Sequence, residues 1–238
     1  METMALGYLN KNVLHHINMI ESIKQHHANI IRSDIHGVVL FDVPSETHMI
    51  SCDSLEDYER VLQDIEEIRE CEVFQSWAKS YVQEKYRLIH RDTYYQAAFL
   101  KEDSTANSNP VLKIRLLCEN DIPLVKTFYP TNDYSYVIQR LKEGTLFGGF
   151  LNDEVIGFIG IHDEGSIGLL AVVEKHKRKG YGLMLMDFII QHFLGNNRVP
   201  YSQISHTNQA SILLHQKAGM EISKDVIEWL TMEEVALN

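Results

Sequence analysis

Apolar residues Val13, Leu14, Ile17 and Ile20 recur at helical spacing, which predicts an amphipathic helix over 13–23. The runs GVVLFD and THMIS are short and β-prone, and Pro44-Ser45-Glu46 between them predicts a hairpin. Ser54, with Asp57 three residues on, reads as the N-cap of an acidic helix over 55–68. A further helix is expected over 74–86, while the aromatic-rich run TYYQAAFL (93–100) fits a strand or a helix equally. The polar stretch KEDSTANSNP, 101–110, ends in proline and has the composition of a linker.

Beyond it the pattern is sharper. A strand is predicted over 111–117, then a helix over 121–129 entered through Glu119-Asn120-Asp121, and a second over 134–142 ended by Gly144. Residues 146–151 and 155–161 flank Asn152-Asp153 and predict a hairpin. The run GLLAVV within 166–173 is continuously apolar, as a central strand is. EKHKRKGYG follows, then LMLMDFIIQHFLG, a helix apolar on nearly all sides and closed by Gly195. A strand over 201–205, a helix over 208–218 closed by Gly219, and a strand over 226–231 complete the chain. The order β-α-α-β-β-β-α-β-α-β predicts an α/β fold, a mixed sheet with helices on both faces. Two domains are expected, an N-terminal α/β domain over 1–105 and a second over 110–238.

Composition narrows the class. In 238 residues, 45% hydrophobic and 23% charged content is that of a globular protein. The net charge of −11 makes nucleic acid a poor partner, since phosphate neutralisation needs a basic face. The charge is uneven: 10 basic and 18 acidic residues precede Val111, and 12 and 15 follow from it, which supports two units. No apolar run reaches the roughly 18–20 residues of a membrane span, and the first 20 residues lack the pattern of a secretory leader. Cys52, Cys71 and Cys118 lie far apart, which suggests reduced thiols in a cytoplasmic protein without structural zinc. The twelve histidines show no metal-ligand spacing, so no metal is expected.

The segment Lys177-Arg178-Lys179-Gly180-Tyr181-Gly182 leads from an apolar strand into an apolar helix. Free backbone N–H groups and the helix dipole favour an anion there, and glycines at 180 and 182 let a phosphate approach. The basic run from Lys175 to Lys179 is the densest in an otherwise acidic chain and suits a multiply phosphorylated ligand. Taken alone, the segment also reads as a solvated basic loop; it is neither a dinucleotide GxGxxG nor a P-loop.

LLAVVEKHKRKGYG resembles the acyl-CoA motif of the GNAT superfamily, an apolar strand followed by Arg/Gln-x-x-Gly-x-Gly/Ala. Gly180 and Gly182 match, and Lys177 stands where Arg or Gln is usual. About 25 residues on, NQASILLHQKAGM resembles the family's N-x-A-x-x-L-Y-x-K-x-G-F helix, matching at Asn208, Ala210, Leu214, Lys217 and Gly219. The resemblance covers 111 to the last strand. It implies a GNAT fold there, with the N-terminal half either part of the acceptor site or a degenerate GNAT-like copy.

The same resemblance implies N-acetyl or N-acyl transfer from acetyl-CoA or another acyl-CoA to a primary amine of a small molecule, in a gap between strands 166–173 and 201–205. Ala171, Val172 and Val173 would line the donor, with the Val172 N–H on the thioester carbonyl. Lys177, Arg178, Lys179, Gly180, Tyr181, Gly182 and Leu183 would hold the pyrophosphate, and Asn208 and Ser211 the pantetheine arm. His215 takes the place of the family's acidic tyrosine near sulfur. His162, Glu164 and His206 are the candidates for the base. The loss of that tyrosine favours the alternative of a non-catalytic acyl-CoA-binding or regulatory module. A homodimer stays open, and neither membrane nor nucleic acid is an expected partner.

Overall fold

The computed structural model describes residues 1–101, 111–129, 131 and 133–233, so all of the predicted linker except Lys101 lies outside the described residues. The N-terminal half runs α1 (Glu2–Leu9), α2 (Ile17–Lys24), β1 (Ala28–Ser33), β2 (Gly37–Asp42), β3 (Thr47–Cys52), α3 (Leu55–Val61), β4 (Glu70–Val73), α4 (Lys79–Tyr86) and β5 (Leu88–Ala98). Then come β6 (Lys113–Leu116), α5 (Ile122–Phe128), α6 (Ser135–Lys142), β7 (Leu146–Leu151), β8 (Glu154–Ile161), β9 (Ile167–Val172), α7 (Tyr181–Gly195), β10 (Tyr201–Ser205), α8 (Gln209–Lys217) and β11 (Glu221–Met232). The observed order from β6 onward is the α/β order expected from the pattern.

Local chemistry explains where elements stop. The β2–β3 hairpin forms with Asp42 opposite Thr47, and Asp42 accepts from the Ser45 amide across the turn. Ser54 caps α3 by accepting from the Asp57 amide at 3.2 Å. That helix ends at Val61, earlier than the acidic pattern suggested, because the Tyr86 hydroxyl takes up the carbonyls of Leu62 and Ile65. The helix expected over 13–23 begins only at Ile17, since the imidazoles of His15 and His16 bond the carbonyls of Phe74 and Leu9. Of TYYQAAFL, residues 93–98 resolve as strand, the end of the long β5. Asn152 and Asp153 both have positive φ, +49° and +65°, as a two-residue β7–β8 hairpin requires.

The chain forms two compact units. The first comprises Met1–Ala97, Gln203–Gln209 and Ile222–Asn238 and is built on a seven-stranded sheet ordered β1-β2-β3-β4-β11-β5-β10. Strand alternation sends Val38, Leu40, Met49 and Ile227 to a core with α1 and α2, and Val39, Ile50, Val73 and Leu230 to a core with α3 and α4. The second unit, Ala98–Ser202 and Ala210–Glu221, holds the antiparallel sheet β6-β7-β8-β9. There α5 and α6 pack on Leu146, Phe158, Leu169 and Ala171, and Phe188 of α7 packs edge-on against Phe147.

The order α-α-β-β-β-α-β-α-β occurs twice, from α1 to β5 and from α5 to β11. In the seven-stranded sheet the last strand of each copy is displaced from its own penultimate strand: β11 separates β4 from β5, and β5 separates β11 from β10.

Candidate active site

Gly180 precedes α7 with φ +87°, a left-handed conformation that costs other residues, and open space surrounds the position of its missing Cβ. At the start of α7 the Leu183 and Met184 amides both return to the Gly180 carbonyl, at 3.1 and 3.2 Å. The amides of Tyr181 and Gly182 come before any intrahelical acceptor and open the positive end of a 15-residue helix. Gly182 differs from Gly180, because a Cβ there would rest in ordinary contact, 3.7 Å from Val172 Cγ2 and 3.9 Å from Leu214 Cδ2.

The basic run is partly neutralised by its own neighbours. Lys175 and His176 both pair with Glu154, and Lys177 pairs with Glu174 at 2.6 Å. Among the described residues Arg178 and Lys179 have no ion-pair partner, so they carry the turn's uncommitted positive charge. Arg178 itself has positive φ, +60°.

Strand β9 ends the four-stranded order. The Val173 amide donates to the Ile156 carbonyl at 2.9 Å, which makes Val172 opposite Gly157 a non-hydrogen-bonded pair. The Val172 N–H therefore points away from β8, along the outer edge of its sheet. Ala171, one residue back, packs its side chain into the α5–α6 core instead. Gly157 permits this close pairing, since a Cβ there would fall 2.3 Å from the Ala171 carbonyl oxygen and 3.0 Å from Val172 Cα.

Asn208 directly precedes α8, its amide donating to the Ser205 carbonyl at 2.8 Å, and Ser211 lies in the helix's first turn. His215 is buried, and its ring turns back on its own helix: Nδ1 lies 2.7 Å from the Ser211 carbonyl oxygen and must carry the hydrogen. Burial lowers its pKa, so the imidazole is neutral, and Nε2 is a buried lone pair with no partner among the described residues. In this arrangement Nε2 of His215 can accept a hydrogen bond but has none to donate.

The base candidates fall into different surroundings. His206 accompanies β10 in the first unit, with Nδ1 3.1 Å from the Thr93 carbonyl. His162, Asp163 and Glu164 lie together at the β8–β9 turn of the second unit. Glu164 is buried, which pushes its carboxyl well above the carboxylate range despite the Ser166 hydroxyl at 2.5 Å. Burial disfavours the ionised form of Glu164 and so weakens it as a base. His162 is held down to about 4, mainly by burial, and Asp163 opposes that shift.

Sequence reasoning missed what orients His162. The Tyr136 hydroxyl, from α6, lies 2.8 Å from its Nδ1 and 2.9 Å from Asp163 Oδ1. Because the phenol donates to the carboxylate, it accepts from Nδ1–H, and Nε2 keeps the lone pair. The ring packs on Gly168, where a Cβ would fall 2.2 Å from Nε2. Nothing in the spacing of Tyr136 and His162 signals this, because α6 and β8 meet only through the fold.

Among the described residues no group of three His, Cys, Asp or Glu side chains is placed to hold a metal, and no helix is long and apolar enough to cross a membrane.

The sequence profile of the acetyltransferase (GNAT) family matches residues 114–220. No curated protein matches the chain. Among solved structures, a Drosophila protein superposes with a TM-score of 0.63 at 16% identity, over 83% of this chain and 74% of that one. A GCN5-related N-acetyltransferase from Kribbella flavida gives a TM-score of 0.56 at 9% identity, over 94% of this chain and 97% of its own. A GNAT-family acetyltransferase from Colwellia psychrerythraea gives 0.53 at 9% identity, over 83% and 82%. At such identities these structures show the fold alone, and the share of this chain that they cover takes in the N-terminal half as well. The chain carries an acetyltransferase domain of the GNAT family, built around residues 114–220, with the mixed α/β fold of that family.

Proposed function

We propose that the chain transfers an acyl group from acetyl-CoA or a related acyl-CoA to a primary amine of a small molecule. The observation that carries this reading is the open turn at Gly180, set between an edge strand and the first amides of α7, which have no partner among the described residues. Acetyl-CoA supplies the activated acyl carbonyl. The Tyr181 and Gly182 amides, with Arg178 and Lys179, would hold its pyrophosphate. The Val172 N–H offers a preorganised donor for a carbonyl oxygen as negative charge develops there, which typically contributes a few kcal/mol. His162, oriented by Tyr136, keeps a lone pair but packs beside Gly168, four strand residues or about 13 Å from Val172, so it would take the proton of an attacking amine only through intervening water. The domain limits that go with this reading are 1–105 and 110–238, and its setting is the cytoplasm.

Titrating the chain with acetyl-CoA, free CoA and a longer acyl-CoA tests the donor. A saturating ligand at about 100 times its dissociation constant should stabilise by roughly 2.7 kcal/mol. No thermal shift with any of the three would overturn the reading.

The second reading, a non-catalytic acyl-CoA-binding module, is favoured by the ring of His215, tied to its own helix where the family has a tyrosine. Turnover separates the two. If the domain is catalytic and the neutral His215 only accepts, His215→Ala should keep kcat within about tenfold of wild type, and His215→Tyr should raise it. A wild-type chain that binds acetyl-CoA yet acylates none of a broad amine panel would establish the second reading.

A further inference from the structure

The first unit contains a cavity of about 580 Å³ that the acyl-transfer reading does not use. It lies where α1 and α2 approach the ends of β3 and β4, and Lys224 and Asp225 of β11 also line it. Its charges are balanced. Lys11 and Asp53 pair across it at 3.4 Å, and the Lys11 ammonium is fixed by the Ile35 carbonyl at 2.8 Å and by the Tyr8 ring. Lys224 and Asp225 are exposed and make no ion pair among the described residues. The cavity thus carries one charge of each sign outside any ion pair among the described residues, Asp225 acting also on the His15 ring. Trp77 stands in its wall with 53% of its surface exposed, held edge-on by Tyr58 at 5.5 Å. Buried His15 also lines it, donating from Nε2 to the Phe74 carbonyl at 2.8 Å and leaving Nδ1 without a hydrogen-bond partner among the described residues.

A second acyl-CoA does not fit this unit. Strands β3 and β4 pair in parallel only as far as Ile50 and Val73. Beyond that point the Gln75 side chain fills the space: its Oε1 accepts from the Cys52 amide at 3.1 Å and from Tyr58 at 2.7 Å, and its Nε2 donates to Ser51. The donor position that Val172 offers in the second unit is thereby occupied within the chain. Nor is there an anion turn, since Asp53-Ser54 leads directly into α3 and Ser54 already caps it, beside Asp57. A polyanion would meet Asp53 and Asp225, and a polycation would meet Lys11 and Lys224.

We propose that this cavity binds a small zwitterion of amino-acid or dipeptide size, its carboxylate toward Lys224, its ammonium toward Asp225, and any apolar part against Trp77 and Phe74. The site is a binding site only, and it is independent of the acyl-transfer reading because it uses no part of α7 or β9.

Calorimetric titration of the full chain with L-phenylalanine and with glycylglycine tests it, with 2-phenylethylamine and 3-phenylpropanoate as single-charge controls. At least one zwitterion should saturate one site per chain below about 10 mM. Lys224→Gln and Asp225→Asn should each weaken it by about tenfold, the usual scale for one charge-assisted contact. Both residues are exposed, so unchanged thermal unfolding of the variants should accompany that loss. The proposal is overturned if neither zwitterion saturates, if both variants bind as wild type does, or if a single-charge control binds as tightly as its zwitterion.

Discussion

A Gly180→Asp variant is expected to lose acetyl-CoA affinity by at least about 100-fold while keeping its fold. The aspartate would sit at the mouth of the turn, where nothing lies within 4 Å of the added Cβ, so its cost to the fold is the left-handed backbone at φ +87° and not a clash. Two effects then add. A carboxylate near a phosphate group repels it by about 4 kcal/mol at 4 Å in a protein-surface environment, and salt screening reduces this to about 2–3 kcal/mol. The carboxylate can also accept from the Gly182 amide, one of the donors otherwise offered to the ligand. Gly180→Asn separates charge from shape. Asparagine tolerates a φ of +87° about as well as aspartate and carries no charge, so it should lose only about tenfold. Competitive binding at low and high salt checks both, with the Asp–Asn difference shrinking as salt rises. Equal affinity in wild type and Gly180→Asp would remove the turn from the binding site and with it the main support for the donor assignment.

What the sequence showed of this site and what it hid have physical causes. The turn was legible because its requirements are local: a positive φ, a helix start and an apolar strand before it lie within a dozen residues. The β7–β8 hairpin was legible for the same reason, Asn152 and Asp153 both taking left-handed backbone. The missed strands are those whose identity depends on distant partners. Glu70–Val73 reads as polar, yet β4 lies between β3 and β11, and Glu72 within it is fully buried. Ala28–Ser33 is an edge strand with a register break between Ile30 and Arg32, which blurs its alternation. The site was hidden in the same way. Glu154 pairs with Lys175 and bonds the His176 ring from 20 or more residues away, so the basic run overstates the charge available to a ligand. Tyr136, the partner of His162, belongs to a helix that spacing alone assigns only an amphipathic face.

Glu72 also gives the largest stability effect expected of a single side chain. It is fully buried on β4, with Asn18 Nδ2 at 2.5 Å and Gln203 Nε2 at 2.9 Å, while Trp229 Nε1 donates to the other end of Gln203. Burial pushes its carboxyl up to about 8, against the lowering effect of the two amide donors. The sign follows from proton counting. Between about 4.5 and 8 the folded chain holds a proton on Glu72 that the unfolded chain has released, so stability falls as pH rises through that window. A shift of this size corresponds to a few kcal/mol between the two ends. The buried and half-buried histidines of the same unit act oppositely at lower pH. His16, held at about 4, and His15 and His48, also lowered by burial, cost stability as pH falls below about 6.5. Glu72→Gln keeps the shape and removes the titration. Its amide can bond both neighbours once Asn18 turns, which also supplies a partner for Asn18 Oδ1, buried without one among the described residues. Denaturant unfolding of wild type and variant from pH 5 to 8.5 is the measurement, and their difference cancels every other titrating group. The variant should gain on wild type steadily as pH rises, by a few kcal/mol in all. A difference independent of pH would mean that Glu72 is ionised throughout, with its charge stabilised by the amides of Asn18 and Gln203.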